Sequence, residues 1–358
     1  MRTSPGKLSV TMEDVAERAG VSRQTVSRCL NDSGQVAAET RARVESVIRE
    51  LEYHPSAVAR SLRHKRTMTV GLAFFSTSYI GIGQSWSFSQ QVAGMTEVLG
   101  SRGYGLQIVE TNPEAAYLKK GTYYLDKLRS GTLDGLVVSD SYLSPEDLLA
   151  LRQYGVPCVL VNRWIEETLG RCVISDEALK GYRLASALLA RGHRRLAYCA
   201  WKPGYWTAVA FHKGIAQALA EVGEDCEVVV DVYPDSENTH GMLDKLARAF
   251  SQEPEPTAAV CGDDWLTDLV ALLARRGVPA AENFEFAGVS LTPESLASPQ
   301  AILTVTPVDH LLGMRSAELL LDLLDGCPER TEPLNVGVGQ FYRPAFPSLS
   351  YPRTRAFA

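Results

Sequence analysis

Hydrophobic and polar positions near the N-terminus follow the period of two short helices. The first helix is predicted to begin near Met12, after a threonine, Thr11, that can cap it and exchange hydrogen bonds with Asp14. It ends at Gly20, because glycine accepts the left-handed conformation of a sharp helix exit. Its inward face holds Val15, Ala16 and Ala19. The pattern therefore predicts a compact helix followed by a tight turn.

The second helix is predicted to start from Ser22 as its cap, with Val21 filling the angle between the helices and with Val26 and Leu30 buried. Its outward face carries hydrogen-bonding side chains, namely Arg23, Gln24, Thr25, Ser27 and Arg28. Such a face can read base edges, because arginine bonds guanine bidentately and glutamine bonds adenine. The pair of helices predicts a helix-turn-helix, with a small helical bundle of no DNA-binding function as the alternative.

Two further helical segments follow. Residues 39–51 carry Val44, Val47, Ile48 and Leu51 at helical spacing, so a third helix can close the core. It should stop near residue 52, because the proline at position 55 disfavours helix in the residue before it. Residues 56–62 can form a fourth helix that is too short to be stable alone, so we expect it to order against a second copy of the chain or against DNA.

From residue 67 onward, short apolar runs alternate with helical stretches. The runs predicted to be buried parallel strands are 68–75, 105–109, 135–138, 158–161, 195–199, 227–232, 258–261 and 284–289. This repeat predicts an α/β core of two parallel sheets flanked by helices, behind an all-α head. Ligands bind where loops leave the carboxyl ends of such strands, so the cleft between the two lobes is the expected site.

The distribution of charge separates the head from the core. Residues 1–66 contain 12 lysines and arginines against 8 acidic residues, a net charge of +4. The other 292 residues carry 24 against 34, a net charge of −10. A basic head attracts a polyanion by counterion release, so affinity for DNA should fall steeply with salt.

Compartment and cofactor content are expected from what the sequence lacks. No apolar run reaches the roughly 18 residues of a membrane helix and no signal-peptide stretch opens the chain, so we expect a cytoplasmic protein without a membrane partner. The seven cysteines are odd in number, widely spaced and without C-x-x-C, which favours buried reduced thiols over disulfides or zinc. We expect no metal and no cofactor.

The head resembles that of the lactose-repressor (LacI/GalR) family in three phrases, V-T-M-E-D-V-A-E-R-A-G-V-S-R-Q-T-V-S-R, E-T-R-A-R-V and H-P-S-A-V-A-R-S-L-R. The resemblance implies a homodimer on a near-palindromic operator, with Arg23, Gln24 and Arg28 in the major groove. It also implies a hinge helix whose Leu62 inserts into the minor groove at the centre of the operator and kinks the duplex. Pyrimidine–purine steps deform most easily, so one is expected at that centre. The residues predicted to bind DNA are Thr11, Ser22, Arg23, Gln24, Thr25, Ser27, Arg28, Asn31, Ser56, Ala59, Arg60 and Leu62.

The core resembles the family through weaker phrases, L-D-G-L-V-V, G-V-P-C-V-L-V-N-R, A-R-G-H-R-R-L-A-Y and A-V-C-G-D-D. The resemblance implies a periplasmic-binding-protein-like core whose chain crosses between lobes near 162–163, near 290–293 and near 325. The expected divisions are a head at 1–55, a hinge helix and linker at 56–67, a core at 68–346 and a tail at 347–358. Lobe 1 would comprise about 68–162 and 293–325, and lobe 2 about 163–292 and 326–346. The tail lacks leucine heptads, which favours a dimer over a tetramer.

The effector site is where the family's phrases change. The arginine of the R-x-x-G-F phrase is replaced by Phe211, and the aspartate of G-Y-D by Ser290. Aromatic residues could stack on a sugar face or a flat ring, or could equally be packing, and Asp176 could equally be a helix cap. The resemblance implies a small-molecule effector, a sugar, sugar acid or related metabolite. The residues predicted to bind it are Ser87, Phe88, Arg163, Asp176, Trp201, Thr207, Phe211, Asp263 and Ser290. Such an effector could separate the hinge helices or hold them together.

Two other classes of protein fit the sequence less well than a regulator does. An enzyme would need a cofactor or nucleophile site, yet Gly81-Ile82-Gly83 has Trp86 where a dinucleotide fingerprint has its third glycine. The histidines stand alone in the sequence, and His193 lies in a turn without a nucleophile nearby. A sugar-binding transport protein shares the core fold but would need a signal peptide and no DNA-binding head. The sequence therefore favours a regulator that is not an enzyme.

Overall fold

The computed structural model describes most of both parts of the chain. The described residues are 10–30, 36–53, 66–74, 82–110, 128–139, 145–155, 157–163, 165–200, 206–223, 225–232, 244–245, 247–249, 254–262, 284–289 and 301–343. Contacts between Cα atoms divide the chain into two compact units, residues 1–67 and residues 68–358.

The described head contains helices α1 (Met12–Ala19), α2 (Arg23–Leu30) and α3 (Ala38–Glu50). Thr11 caps α1 in a full capping box with Asp14, and Gly20 ends it in the left-handed conformation at φ 65°. Both features were predicted, and both are confirmed. The helices close over one small core made of Val15, Ala16, Ala19, Val26, Cys29, Val44, Val47 and Tyr53.

The buried face of α2 differs from the prediction by one residue. Cys29 is buried at 7% exposure, whereas Leu30 is half-buried at the edge of the core. Both positions follow Val26 by about one turn, so the hydrophobic spacing alone does not separate them. The guanidinium of Arg41 donates to the Cys29 carbonyl at 3.1 Å, which fixes this end of α2 against α3.

The core carries the elements predicted from the alternating pattern together with several short ones. Its described helices are α4 (Ile82–Ser101), α5 (Pro145–Gln153), a 3-10 helix (Glu166–Arg171), α6 (Glu177–Ala190), α7 (Trp206–Val222) and α8 (Asp309–Leu324). Its described strands are β1 (Thr69–Phe74), β2 (Gly105–Glu110), β3 (Gly135–Ser139), β4 (Cys158–Val161), β5 (Cys172–Ile174), β6 (Arg195–Cys199), β7 (Glu227–Val232), β8 (Ala258–Cys261), β9 (Glu285–Val289), β10 (Ala301–Val305), β11 (Leu334–Asn335) and β12 (Phe341–Tyr342).

The described strands form two six-stranded sheets. The first has the order β11-β5-β4-β3-β1-β2, and the second β12-β10-β9-β8-β6-β7. Every pairing is parallel except that of β10 with β12. Neighbouring residues of β3 bury opposite faces of the first sheet, since Val137 packs toward α4 and α8 whereas Leu136 and Val138 pack toward α5. The predicted class of two parallel sheets flanked by helices is confirmed.

One pair of helices in each lobe packs backbone against backbone through glycines. In the first lobe a Cβ on Gly94 of α4 would lie 2.1 Å from the His310 carbonyl of α8, and one on Gly313 of α8 would lie 2.2 Å from the Gln91 carbonyl of α4. The second lobe repeats this arrangement between α6 and α7. Only glycine permits an approach this close, so these residues fix the helix pairs.

The three crossings between the lobes are not where the sequence placed them. The strand pairings put 172–174 and 334–335 in the first sheet and 301–305 and 341–342 in the second. The chain therefore crosses after Ile174, after Val305 and after Asn335, and the boundaries near 162, 292 and 325 are wrong. Strands of two or three residues are too short to show an alternation of apolar and polar positions, so the sequence did not predict β5 and β11.

All seven cysteines are free thiols. Five are buried, as predicted, but Cys226 is half-buried and Cys327 is exposed, so the prediction of buried thiols is wrong for these two. Burial raises the pKa of both Cys158 and Cys172 to about 12, which keeps these thiols protonated and unreactive at neutral pH. Within the described ranges, no helix is both long and apolar enough to cross a membrane.

Candidate functional site

The outward face of α2 is polar and accessible. Arg23, Gln24 and Arg28 are exposed, while Thr25 and Ser27 are half-buried. Ser22 Oγ accepts a hydrogen bond from the Thr25 backbone N–H at 3.1 Å, so Ser22 caps the helix as predicted. The helix therefore presents two arginines and a glutamine, the side chains that recognise guanine and adenine.

Arg23 is already paired in the head. Its Nη1 lies 2.9 Å from Oε1 of Glu13 in the first turn of α1, and the two side chains are 69% and 60% exposed. Tyr53, three residues beyond the end of α3, is buried in the core of the head. Burial raises the pKa of Tyr53, Glu13 raises it further, and Arg23 lowers it. The arginine at the start of α2 is thus paired with a carboxylate of α1.

Thr11 has a structural role that the sequence predicted alongside its DNA contact. Its backbone N–H donates to Asp14 Oδ2 at 2.8 Å, and its hydroxyl donates to the same oxygen at 2.7 Å. The Asp14 backbone N–H donates back to Thr11 Oγ1 at 3.3 Å. The hydroxyl proton is therefore engaged within the cap. The remaining residues predicted to bind DNA lie outside the described residues: Asn31, Ser56, Ala59, Arg60 and Leu62.

Two predicted effector residues lie on α4 where it meets α8. The Ser87 hydroxyl donates to Oδ1 of Asp309, and the Gln91 side-chain amide donates to the same oxygen at 3.2 Å. Phe88 is half-buried and packs against the core of the first lobe. Asp309 is the first residue of α8 and follows the second crossing directly, so Ser87 lies beside a connection between the lobes.

Arg163 and Asp176 lie near the first crossing. Arg163 is half-buried, two residues beyond the end of β4. Asp176 caps α6, with its Oδ1 accepting from the Leu179 N–H at 2.9 Å, so the helix-cap interpretation of this aspartate is confirmed. Its backbone N–H donates to the Gly337 carbonyl at 2.9 Å, which ties the first crossing to the third.

A buried ion pair beside this crossing was not predicted. Lys180 Nζ donates to Oε1 of Glu177 at 2.7 Å, and the residues are 6% and 7% exposed. The Ser175 hydroxyl donates to the same oxygen at 2.6 Å, and the Ser175 N–H donates to Asn162 Oδ1 at 2.8 Å. In the sequence an E-x-x-K spacing is typical of a solvated helix face, so no signal marked this pair as buried.

The second lobe places Phe211 differently from the prediction. Its side chain is 2% exposed and packs against Tyr198, with the ring centroids 6.1 Å apart, inside the core of that lobe. The predicted contact of Phe211 with an effector is therefore corrected to a packing role. Thr207, in the first turn of α7, is half-buried and stays a candidate. Trp201, Asp263 and Ser290 lie outside the described residues.

His193 occupies a structural position in the second lobe. His193 Nδ1 lies 3.1 Å from Thr257 Oγ1, and Nε2 lies 2.9 Å from Glu285 Oε2. The pKa of Glu285 is lowered, first because Arg191 donates hydrogen bonds to it and then by His193. In the part of the chain that the structure describes, no group of three histidine, cysteine or acidic side chains could hold a metal ion.

Comparison with known families gives two matches that together span most of the chain. Residues 11–56 match the family model described as bacterial regulatory proteins, lacI family. Residues 77–336 match the model described as periplasmic binding proteins and sugar binding domain of LacI family.

Individual relatives match over nearly their full length. The HTH-type transcriptional repressor PurR of Shigella sonnei (strain Ss046) is 30% identical over 337 residues, covering 92% of this chain and 94% of the relative. PurR of Pectobacterium carotovorum subsp. carotovorum (strain PC1) is 28% identical over 333 residues, covering 91% and 94%.

Solved structures with the same fold cover both the head and the core. A lac repressor dimer bound to operator and the anti-inducer ONPF has a TM-score of 0.76 at 23% identity and covers 94% of this chain and 98% of its own. A complex of the transcriptional regulator CelR with cellobiose has a TM-score of 0.64 at 26% identity and covers 94% and 99%.

Proposed function

Because this chain belongs to the LacI family of bacterial regulatory proteins, we propose that it is a sequence-specific DNA-binding transcriptional repressor rather than an enzyme. It binds a near-palindromic operator as a homodimer in the cytosol, and a small molecule bound between the lobes of its core changes its affinity for that operator. The observation that carries the proposal is the exposed polar face of α2, with Arg23, Gln24 and Arg28, in a head followed by a two-sheet core.

Specific contacts are assigned to the start of α2. In helix-turn-helix proteins the first residues of the second helix reach the base edges, and those positions here are Arg23 and Gln24. Ser22 and Thr25, whose hydroxyls lie 2.9 Å apart, are placed for phosphate contacts that set the orientation of the helix. We assign the minor-groove wedge to Leu62, with Asn31, Ser56, Ala59 and Arg60 as further contacts, and expect a central pyrimidine–purine step.

The effector is assigned to residues beside the crossings and at the start of α7. We propose Ser87, Phe88, Arg163 and Thr207 as contacts, with Trp201, Asp263 and Ser290 completing the site. The ligand class is a carbohydrate or related small metabolite, which the similarity to the cellobiose complex of CelR supports. Oδ1 of Asp176 accepts the N-cap hydrogen bond of α6. Asp176 can therefore contact the effector only through the part of its carboxylate that this bond leaves available. Ligand binding either separates the two hinge segments or holds them together.

Recovery of bound DNA tests the function directly. Full-length protein is incubated with fragmented DNA from its source, alone and with added metabolites, and the bound fragments are sequenced. We expect enrichment of one near-palindrome. The Arg23→Ala variant should lose the base preference at one position of each half-site, because it removes a base-reading side chain.

The matched control is Arg49→Ala, which removes the same charge from an exposed position on α3 and should keep the selected sequence. Binding to the enriched sequence should weaken linearly in a plot of log affinity against log salt. Absence of any enriched sequence with and without metabolites would refute the proposed function.

A further inference from the structure

We propose that Glu13 is the positioning residue for Arg23, so that a carboxylate on α1 determines how strictly an arginine on α2 selects its base. The inference rests on the proposed function and deepens it. It starts from the ion pair between Glu13 Oε1 and Arg23 Nη1, which joins two helices across the turn of the head at 2.9 Å.

The pair leaves the arginine able to read DNA. A guanidinium has five N–H donors in a rigid fork, and the contact with Glu13 occupies one end of that fork. The remaining donors can still form a bidentate contact with guanine O6 and N7. An exposed arginine without a partner would lose several freely rotating bonds on binding, whereas the pair with Glu13 restricts them in advance.

The carboxylate also restricts what the arginine can contact. Guanine O6 and N7 are acceptors and phosphates are anions, so Glu13 repels all of them unless the guanidinium lies between. An arginine without this neighbour could swing to a phosphate and bind any sequence. Glu13 therefore lowers sequence-independent affinity while it sharpens the choice of base, which is specificity by disfavouring the wrong contacts.

The surroundings of the pair support a fixed geometry. Glu13 lies in the first turn of α1, between the two capping-box residues Thr11 and Asp14, so its backbone is held. Arg23 is the first residue of α2 and follows the cap at Ser22. Tyr53 is buried in the core of the same head, and its pKa is raised by that burial and by Glu13 and lowered by Arg23.

The same head offers a matched control pair. Arg18 on α1 and Glu50 on α3 form an exposed ion pair in which Arg18 Nε donates to Glu50 Oε1 at 3.1 Å. The exposed fractions, 60% and 48%, resemble those of the Glu13–Arg23 pair. Neither residue belongs to α2, so breaking this pair perturbs the head without touching the reading face.

The experiment measures base preference at each position of the operator. Full-length wild-type protein and variants select binding sites from a library of DNA duplexes, and base frequencies are counted by sequencing. The Arg23→Ala variant should lose roughly 5- to 150-fold preference at one base pair of each half-site. Glu13→Ala should lose about two- to fivefold at that same base pair and leave the others unchanged.

Three further variants separate positioning from a loss of structure. Glu13→Gln keeps an amide oxygen that accepts from Arg23, so it should restore most of the preference. Adding Glu13→Ala to the Arg23→Ala variant should cause no further change in base preference, because Glu13 acts on that preference through Arg23. Glu50→Ala should select the wild-type sequence. Binding to a duplex of unrelated sequence should strengthen for both Glu13 variants, because each removes a negative charge.

The outcomes distinguish the inference from the function beneath it. A wild-type protein that selects a palindrome together with a Glu13→Ala variant that selects it with the same base frequencies would overturn the role of Glu13 alone. A change at positions other than the one assigned to Arg23 would overturn it as well. Failure of the wild-type protein to select any sequence would overturn the proposed function, and the inference with it.

Discussion

Replacing Gly214 by alanine should destabilise the second lobe, because the added methyl group would enter the space of a neighbouring helix backbone. A Cβ at this position of α7 would lie 1.9 Å from the Ala178 carbonyl oxygen and 2.8 Å from the Tyr182 nitrogen, both on α6. Ordinary contact begins at 3.4 Å, so the two helices must move apart by about 1.5 Å. The obstructing atoms are backbone, so no side-chain rotation can relieve the clash.

The size of the effect follows from where these helices lie. Inserting a methyl group into a packed core costs about 1–3 kcal/mol in the free energy of unfolding. Separating α6 from α7 also loosens the buried cluster beneath them, which includes Leu184, Phe211 and Ile215. We therefore expect a loss of about 3 kcal/mol, which corresponds to a fall in Tm of roughly 6–12 °C for a lobe of this size.

Thermal unfolding followed by circular dichroism at 222 nm, together with urea midpoints, measures the loss. The control is Gly100→Ala in α4, where no atom lies within 4 Å of the added methyl group. That variant should gain about 0.5–1 kcal/mol, because alanine is the better helix former. Equal midpoints for Gly214→Ala and the wild type would refute the close contact, as would equal shifts for the two variants.

Three other predictions follow from described contacts. Lys180→Ala should lower the free energy of unfolding by about 3–5 kcal/mol, because it leaves Glu177 buried and unpaired. The double variant Lys180→Met with Glu177→Leu should recover most of this loss in urea unfolding. A double variant no more stable than the single one would contradict the argument. The pKa of Glu285 lies below its ordinary value, chiefly because Arg191 donates to it, so its contribution to stability is present above about pH 4.5 and lost as the pH falls. Tm measured from pH 6 to pH 3 should consequently fall less steeply for Glu285→Gln, and parallel curves would count against this. Thr11→Ala should cost about 1 kcal/mol and raise amide exchange in α1; unchanged protection would show that the cap is dispensable.

The head could be predicted almost residue by residue because its signals are local. A capping box at Thr11 and Asp14, a glycine at position 20 and a serine at position 22 each act within one helical turn, and each was found where the sequence placed it. The eight predicted core strands were found for the same reason, because each is long enough for its apolar character to be read.

Features that depend on partners distant in the sequence could not be predicted. The two-residue strand β11 forms by pairing with β5, and the sequence Leu334-Asn335 alone does not indicate a strand. Phe211 occupies the position of a ligand-binding arginine in the resemblance, but Tyr198 and the glycine contacts of α6 and α7 draw its ring into the core. Alignment with a family shows which residue stands at a ligand-binding position, whereas packing decides whether its side chain faces the ligand or the core.

The corrected crossings place Asp176, and Asp309 with its partner Ser87, beside the connection between the lobes. The third crossing bonds to the first through the Asp176 N–H and the Gly337 carbonyl, at 2.9 Å. It bonds to the second through the Thr306 N–H and the Gln340 carbonyl, at 3.0 Å. Three chain segments therefore act as one connection, and a change in lobe orientation must be absorbed within a few hydrogen-bonded residues. A ligand that contacted Ser87, whose hydroxyl donates to Asp309 just beyond the second crossing, would lie beside this connection. It would shift the population of lobe orientations only if it bound one orientation more tightly than the other.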